Sequence, residues 1–423
     1  MNARFYLSAA LLALTFAMTS CNSDEDGGSM NASNISLDPL ETEVNEVSNM
    51  FAGRLLNAAS AQAPDENQAF SPLSIQMALS MLANGADGDT YTELVSGLGF
   101  GGMNIESVNS YNEKLVKVLP TADKEVDLAI ANSLWTGDAY PVYDEFISSC
   151  AKAFNANIGK VDFMDEKGTL ETVNNWIADN TRGKITKVLD ELIDPADEVF
   201  ILANALYFKG TWTEKFNTAN TRPASFINYD NSESKVEMMH GGKATHTYLD
   251  NKRFTCLSMP YGNGSFSFDI LYPSCNNELL KKQQSVPDAT INDAEEWLKS
   301  NTILAPSEIK DEATINMPKF SISSKFLANA ILAKMGITKI FDTDNANLSK
   351  ICDANCIVSQ VVHGCNIAVD ESGAEAAAST VVEGFVDMAQ TAPIPFTIDH
   401  PFIYMIRENS TGAILFIGKM VKM

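Results

Sequence analysis

Cys352, Cys356, His363 and Cys365 crowd one stretch of the chain with side-chain types that ligate zinc. Zinc sites need thiolates and imidazoles at restricted spacings, and this spacing fits none of the standard patterns. Buried thiols or one disulfide are the plainer expectation, with no metal and no cofactor. A serine hydrolase would carry its nucleophile on a Gly-x-Ser-x-Gly elbow, and Gly262-Asn263-Gly264-Ser265 lacks the closing glycine. His240-Gly241-Gly242 is faintly similar to an oxyanion loop but sits among polar strand edges, and the chain holds only 4 histidines. No catalytic residue is expected, and the chain reads as a non-enzyme; turnover of an ester or peptide would reveal otherwise.

Residues 369–396 do not behave like their neighbours. They follow one predicted strand and precede another, and they are too long and too weakly apolar for an ordinary connection. At period two, Ala374, Ala376, Ala378, Thr380, Val382 and Gly384 form one uncharged face of small and medium side chains. Glu375, Ala377, Ser379, Val381, Glu383 and Phe385 form the other, which carries both charges. One face can be buried in a sheet while the other stays in water. Alanine is a poor strand former, so its repetition points to selection for small size. The pattern is that of a strand that could be inserted; the alternative is a short Ala-rich helix capped near Ser372.

Positioning this segment falls to the elements on either side. Val44, Val47, Met50, Phe51 and Leu55 recur at helical spacing. Ser71-Pro72 supplies a helix cap and a first-turn proline ahead of Ile75, Ala78, Leu79 and Leu82. Residues 170–180 read as a helix ending near Thr181-Arg182-Gly183. Strands are expected at 199–208, 254–259, 265–272, 313–320, 357–369, 402–406 and 413–420, with a turn at Gly262-Asn263-Gly264. Helices first and strands later predict an α+β fold.

The chain has 423 residues, 45% of them apolar, enough for one large core or two average domains. A formal charge of −24 repels nucleic acid and attracts basic partners. Arg4 precedes an apolar run at 7–18 that is too short for a membrane helix and reads as a secretory signal. Cys21 at its end resembles the lipobox of bacterial lipoproteins, with Met18-Thr19-Ser20 a loose match lacking the usual leucine. Asp24-Glu25-Asp26 resembles the acidic tag that sends some lipoproteins to the cell surface. The expectation is a signal over 1–20, a lipidated Cys21 and flexible tether over 21–36, and one domain over 37–423. An exported outer-membrane or cell-surface protein would then touch the membrane through its lipid alone; the alternative is a plain cleaved signal with Cys21 free.

Glu371-Ser372-Gly373-Ala374-Glu375-Ala376-Ala377-Ala378-Ser379-Thr380 closely resembles the hinge of the serpins, the serine protease inhibitors that trap their targets. Asp399-His400-Pro401-Phe402 resembles the start of the strand after their reactive loop, and Phe70-Ser71-Pro72-Leu73-Ser74-Ile75 resembles their shutter helix start. Asn204 to Trp212 resembles the strand running to the breach. Asn132-Ser133-Leu134-Trp135, Thr181-Arg182-Gly183-Lys184-Ile185, Met317-Pro318-Lys319-Phe320 and Met335-Gly336-Ile337 follow in the family's order, over roughly residues 40–423.

The resemblance implies helices plus three β-sheets, a large central sheet and an exposed reactive loop at about 371–396. It implies suicide inhibition: a target protease cuts the loop, and insertion of the hinge side traps the acyl-enzyme. Elastase- or chymotrypsin-like serine proteases would be favoured, with a cysteine protease as a further target and a monomeric inhibitor. Family spacing puts the reactive bond at Asp387 and Met388, with Phe385 and Val386 as alternatives. Ser71, Ser74, Asn204 and His363 would form a polar cluster where the sheet parts, and Trp212 would pack at the top of the opening. The competing reading is a non-inhibitory binding or carrier protein of the same fold.

Overall fold

Asp38 caps the first helix, α1 (Pro39–Ser60), in a reciprocal box with Glu41. Ser71 caps α2 (Pro72–Gly85), its hydroxyl accepting from the Ser74 amide with Pro72 in the first turn. Almost every α2 side chain is buried, so this helix runs through the core rather than over it. Then come α3 (Gly88–Leu98), α4 (Ile105–Val118), α5 (Asp144–Phe154) and α6 (Glu166–Asn180). Three short helices follow among the strands: α7 (Glu278–Lys281), α8 (Ile291–Leu298) and α9 (Asn329–Lys334). The computed structural model describes residues 32–137, 141–193, 200–282, 288–302, 311–353, 356–373 and 393–423.

One five-stranded sheet has the order β10 (Phe320–Leu327), β11 (Val358–Val369), β4 (Phe200–Gly210), β2 (Val126–Gly137), β3 (Asn157–Val161). β10 and β11 are antiparallel, as are β4 and β2; β11 and β4 are parallel and directly hydrogen-bonded. β4 is buried along nearly its whole length because both faces are covered. Ile201, Ala203 and Ala205 join Val173 and Ile177 of α6 and the segment carrying Ile185, Val188 and Leu189. Phe200, Leu202, Leu206 and Phe208 face the main core, where α2 lies. Asn204 falls at the middle of that core-facing series.

The other sheet runs β1 (Gln68–Phe70), β14 (Ile414–Met420), β13 (Phe402–Glu408), β8 (Phe266–Pro273), β7 (Phe254–Tyr261), β6 (Glu233–Leu249), β9 (Asp311–Pro318), β12 (Ile394–Thr397). β5 (Arg222–Ile227) also pairs with β6. Two of the three expected sheets are continuous here because β6 is long enough to serve both. Its pairing to β9 shifts register between Met239 and Gly242, where Phe216 packs against Gly242 too closely for any larger residue.

The helix starts at Ser71 and the strands at 199–208, 254–259, 265–272, 357–369, 402–406 and 413–420 lie where the sequence puts them, within a few residues. The single strand expected at 313–320 is two. β9 ends at Pro318, which carries no amide hydrogen to continue a ladder, and β10 begins after Lys319. The first third is not purely helical: β2 runs through it, masked by its two buried faces.

Candidate functional site

His363 is wholly buried in β11 and pairs across the ladder with Asn204 of β4, which pairs with Asn132 of β2. Three polar side chains therefore stand in a row across three strands, facing the start of α2. His363 Nδ1 donates to Asn204 Oδ1 at 2.7 Å, and Nε2 accepts the Ser71 amide at 3.0 Å. Asn204 Nδ2 donates to the Ser74 carbonyl at 2.7 Å and to Asn132 Oδ1 at 2.8 Å. Asn132 Nδ2 passes the chain on to the Phe154 carbonyl at 3.1 Å.

Buried polar groups must find partners, and this row finds them in one another, in the Ser71 amide and Ser74 carbonyl at the start of α2, and in the Phe154 carbonyl at the end of α5. The structure brings Ser71, Ser74, Asn204 and His363 together as the sequence suggests. Ser71 and Ser74 meet His363 and Asn204 through their backbones, while the Ser71 hydroxyl is occupied in capping. Burial drives the His363 imidazole down to a pKa of about 3. It is neutral, with one nitrogen donating and the other accepting.

At the C-terminal end of β11, residues 370–373 are pinned to the chain leaving β4. The Trp212 indole Nε1 donates to the Asp370 carbonyl at 2.8 Å, and its amide donates to the Ser372 carbonyl at 2.9 Å. The Phe216 amide donates to the Glu371 carbonyl at 3.0 Å. Trp212 itself is buried, stacked on Tyr261 with ring centroids 4.4 Å apart. The Glu371 carboxylate accepts from the Thr221 hydroxyl at 2.6 Å and pairs with Lys319 Nζ at 2.7 Å. Burial alone would raise this carboxyl; the hydrogen bonds from Lys319 and Thr221 outweigh it and hold the pKa below the ordinary value.

Gly373 takes φ +131°, and a Cβ placed there would lie 2.2 Å from the Gly210 carbonyl oxygen. Only glycine fits both the backbone angle and the approach. Residues Ala374, Glu375, Ala376, Ala377, Ala378, Ser379, Thr380, Phe385, Val386, Asp387 and Met388 lie outside the described residues, as does Cys21. The described chain resumes at 393, and β12 pairs in parallel with β9. Between Val358 and Asn366, β11 bonds directly to β4 with no strand between them.

Three contributors escaped the site residues named from sequence. Asn132 and Lys319 sit inside blocks that were recognised, and a lone polar residue in an apolar strand was the available signal for Asn132. Thr221 offered none, because its role depends on the loop before β5 passing Glu371. The four zinc-type residues do not converge: His363 is taken up by Ser71 and Asn204, and Cys365 Sγ donates to the Ala69 carbonyl at 3.3 Å.

A family model described as Serpin (serine protease inhibitor) matches residues 46–423. Leukocyte elastase inhibitor A of Rattus norvegicus is 30% identical over 383 residues, spanning 89% of this chain and 99% of that protein. The thermophilic serpin tengpin in its native state superposes with a TM-score of 0.78 at 27% identity, over 92% of this chain and 96% of that one. Human thyroxine-binding globulin superposes with a TM-score of 0.76 at 26% identity, over 90% and 99%.

Proposed function

The chain belongs to the serpin family, and from that premise we propose that it inhibits serine-type endopeptidases as a suicide substrate. The observation that supports this reading is the direct parallel pairing of β11 with β4, with residues 370–373 pinned beside the chain that leaves β4. This is a sheet with a vacant course and a strand-patterned segment ready to fill it. The protease serine Oγ attacks the carbonyl carbon of the residue before the cut. The peptide C–N bond breaks, the new amine leaves, and an ester joins the two proteins. The freed hinge side then runs antiparallel between β11 and β4, carrying the protease across the molecule and distorting its catalytic site. The chain is consumed in the encounter and acts as inhibitor, not catalyst.

Family spacing supports Asp387 and Met388 as the cut pair, with Phe385 and Val386 as alternatives. An acidic residue before the bond suits few proteases, whereas the alternatives suit chymotrypsin- and elastase-like enzymes. A relative named for leukocyte elastase inhibition supports an elastase-like target. The segments at 1–20 and 21–36 support export and a lipid anchor at Cys21, with the inhibitor domain held outward on a tether and acting as a monomer.

The test is incubation with elastase-, chymotrypsin-, trypsin-, subtilisin- and papain-like proteases. Inhibition predicts a complex that survives boiling in detergent, and sequencing the released carboxyl fragment names the bond. A carrier is the second reading, since a relative named for thyroxine binding shares the fold. Simple cleavage by every protease, with no stable complex, would favour that reading.

A further inference from the structure

Among the described residues, Tyr111, Tyr261, Tyr272 and Tyr404 are wholly buried, and three of them have a partner for the hydroxyl. Tyr111 Oη donates to Asn45 Oδ1 at 2.8 Å, Tyr272 Oη to Asp399 Oδ1 at 3.1 Å, and Tyr404 Oη to the Gln68 carbonyl at 3.0 Å. Tyr261, the last residue of β7, differs: its hydroxyl meets no hydrogen-bonding group among the described residues. Burial, with Asp269 and Asp370 adding to it, pushes its pKa up, so the group is a neutral phenol with a proton to donate. Leaving a buried hydroxyl unpaired destabilises a fold, and a structure that keeps one calls for a reason.

The ring cannot turn to find a partner. It lies flat on Trp212, with 4.4 Å between centroids and 8° between planes, and meets Phe208 at 5.1 Å. On the β4 side, Gly210 comes so near that a Cβ there would stand 2.9 Å from the ring. A β-bridge ties the Trp212 and Tyr261 backbones together. Trp212 is itself fixed from β11, its indole donating to the Asp370 carbonyl and its amide to the Ser372 carbonyl. The bond from Trp212 to Asp370 joins the end of β4 to the end of β11, across the line where the sheet would part. The clamp that keeps the hydroxyl unpaired therefore has one jaw on each of those two strands.

We propose that Tyr261 is a positioning residue of the insertion step: its unpaired hydroxyl destabilises the uncut form, and the defect is relieved when β4 moves away from β11. This role presupposes the inhibitory reading. Opening the course breaks the bond between Trp212 and Asp370, which frees the indole and lets the Tyr261 ring tilt until its hydroxyl finds a partner. Tyr261 touches neither the protease nor the cut bond. It acts through Trp212 on the difference between the two forms, so that part of the drive for insertion sits at the mouth of the course. Phe216 and Phe268, the other rings against Trp212, carry no polar group and could not serve in this way.

In the test, Tyr261→Phe is made in the full chain, which keeps the ring and its stack and removes only the hydroxyl. Thermal and guanidinium midpoints are measured for uncut protein and for protein nicked within 374–388, in parent and variant. The uncut variant should be the more stable, its thermal midpoint about 2–5 °C above the parent's. Nicked parent and nicked variant should agree, so that the gap between cut and uncut forms narrows. With a protease that the parent traps, the variant should yield about two- to tenfold more cleaved inhibitor per complex, because insertion is slowed while hydrolysis of the ester is not. A merely structural role for the hydroxyl predicts the reverse, a loss of stability in both forms. An uncut variant no more stable than the parent, or unable to fold, would overturn the proposal, as would an equal gain in both forms. An absent gap between cut and uncut parent would instead end the inhibitory reading, and this role with it.

Discussion

A neutral imidazole is the only form of His363 that satisfies both neighbours. Its Nε2 accepts from the Ser71 amide, and a proton there would set donor against donor. The unfolded residue has its ordinary pKa near 6.5, above the folded value of about 3. Between these limits the unfolded chain binds the extra proton. The stabilisation is therefore complete above about pH 6.5 and drains away as the pH falls toward 3. Denaturant midpoints measured from pH 7 to pH 4 should decline accordingly. His363→Ala should lose about 2–5 kcal/mol at pH 7, because the Ser71 amide and Asn204 Oδ1 are both stranded. That variant should also lose this share of the acid slope, and an unaltered slope would remove His363 from the account. Gly373 is constrained by geometry instead of charge. Gly373→Ala meets both an unfavourable φ and the Gly210 carbonyl. It should cost about 1–3 kcal/mol and hasten nicking at the hinge by a nonspecific protease. Ala374→Glu should leave the uncut protein's stability nearly unchanged. On the proposed mechanism, it shifts the outcome with a target from stable complex to cleaved inhibitor, read as a higher inhibitor-to-protease ratio at full inhibition.

Elements show where the sequence was legible. The start of α2 could be read because Ser71 and Pro72 act locally, on amides within one turn. β7 and β8 could be read because they alternate and are joined by a glycine turn. β4 was visible as an apolar run, but its two-faced burial hid which residues looked toward α2. The row Asn132, Asn204, His363 follows from the register of three strands distant in sequence, and no local pattern encodes it. The same holds for the Glu371 junction, which joins the end of β11, the β9–β10 corner and the loop before β5 through Lys319 and Thr221. These two partners are predicted to differ in weight. Lys319 is over a third exposed, so solvent screens its charge, and Lys319→Ala should cost at most about 1 kcal/mol. Glu371→Ala strands both partners and should cost about 1–3 kcal/mol. A double-mutant cycle by chemical unfolding separates the two, and equal losses would mean that the ion pair, not the Thr221 hydrogen bond, carries the junction.

For the whole molecule, the proposed mechanism makes the uncut form an uphill state. Filling the course between β11 and β4 adds about a dozen ladder hydrogen bonds at roughly 0.5–1.5 kcal/mol each, in total on the order of the stability of a whole domain. Nicking within 374–388 should raise the thermal midpoint by about 10 °C or more, measured by calorimetry on cut and uncut protein; an unchanged midpoint would end the trap mechanism. On the same mechanism, strand direction selects the course between β11 and β4 for the segment. β11 and β4 point the same way, and a chain that leaves β11 and doubles back points against both. Across the β10, β11, β4 and β2 portion of the sheet, the arrow diagram contains one pair of neighbours running alike. Wedging a reversed ribbon into that gap restores strict alternation. On the proposed mechanism that mismatch of polarity marks the destination: among the described strands of this sheet, only between β11 and β4 would a ribbon reversed from β11 run opposite to both neighbours.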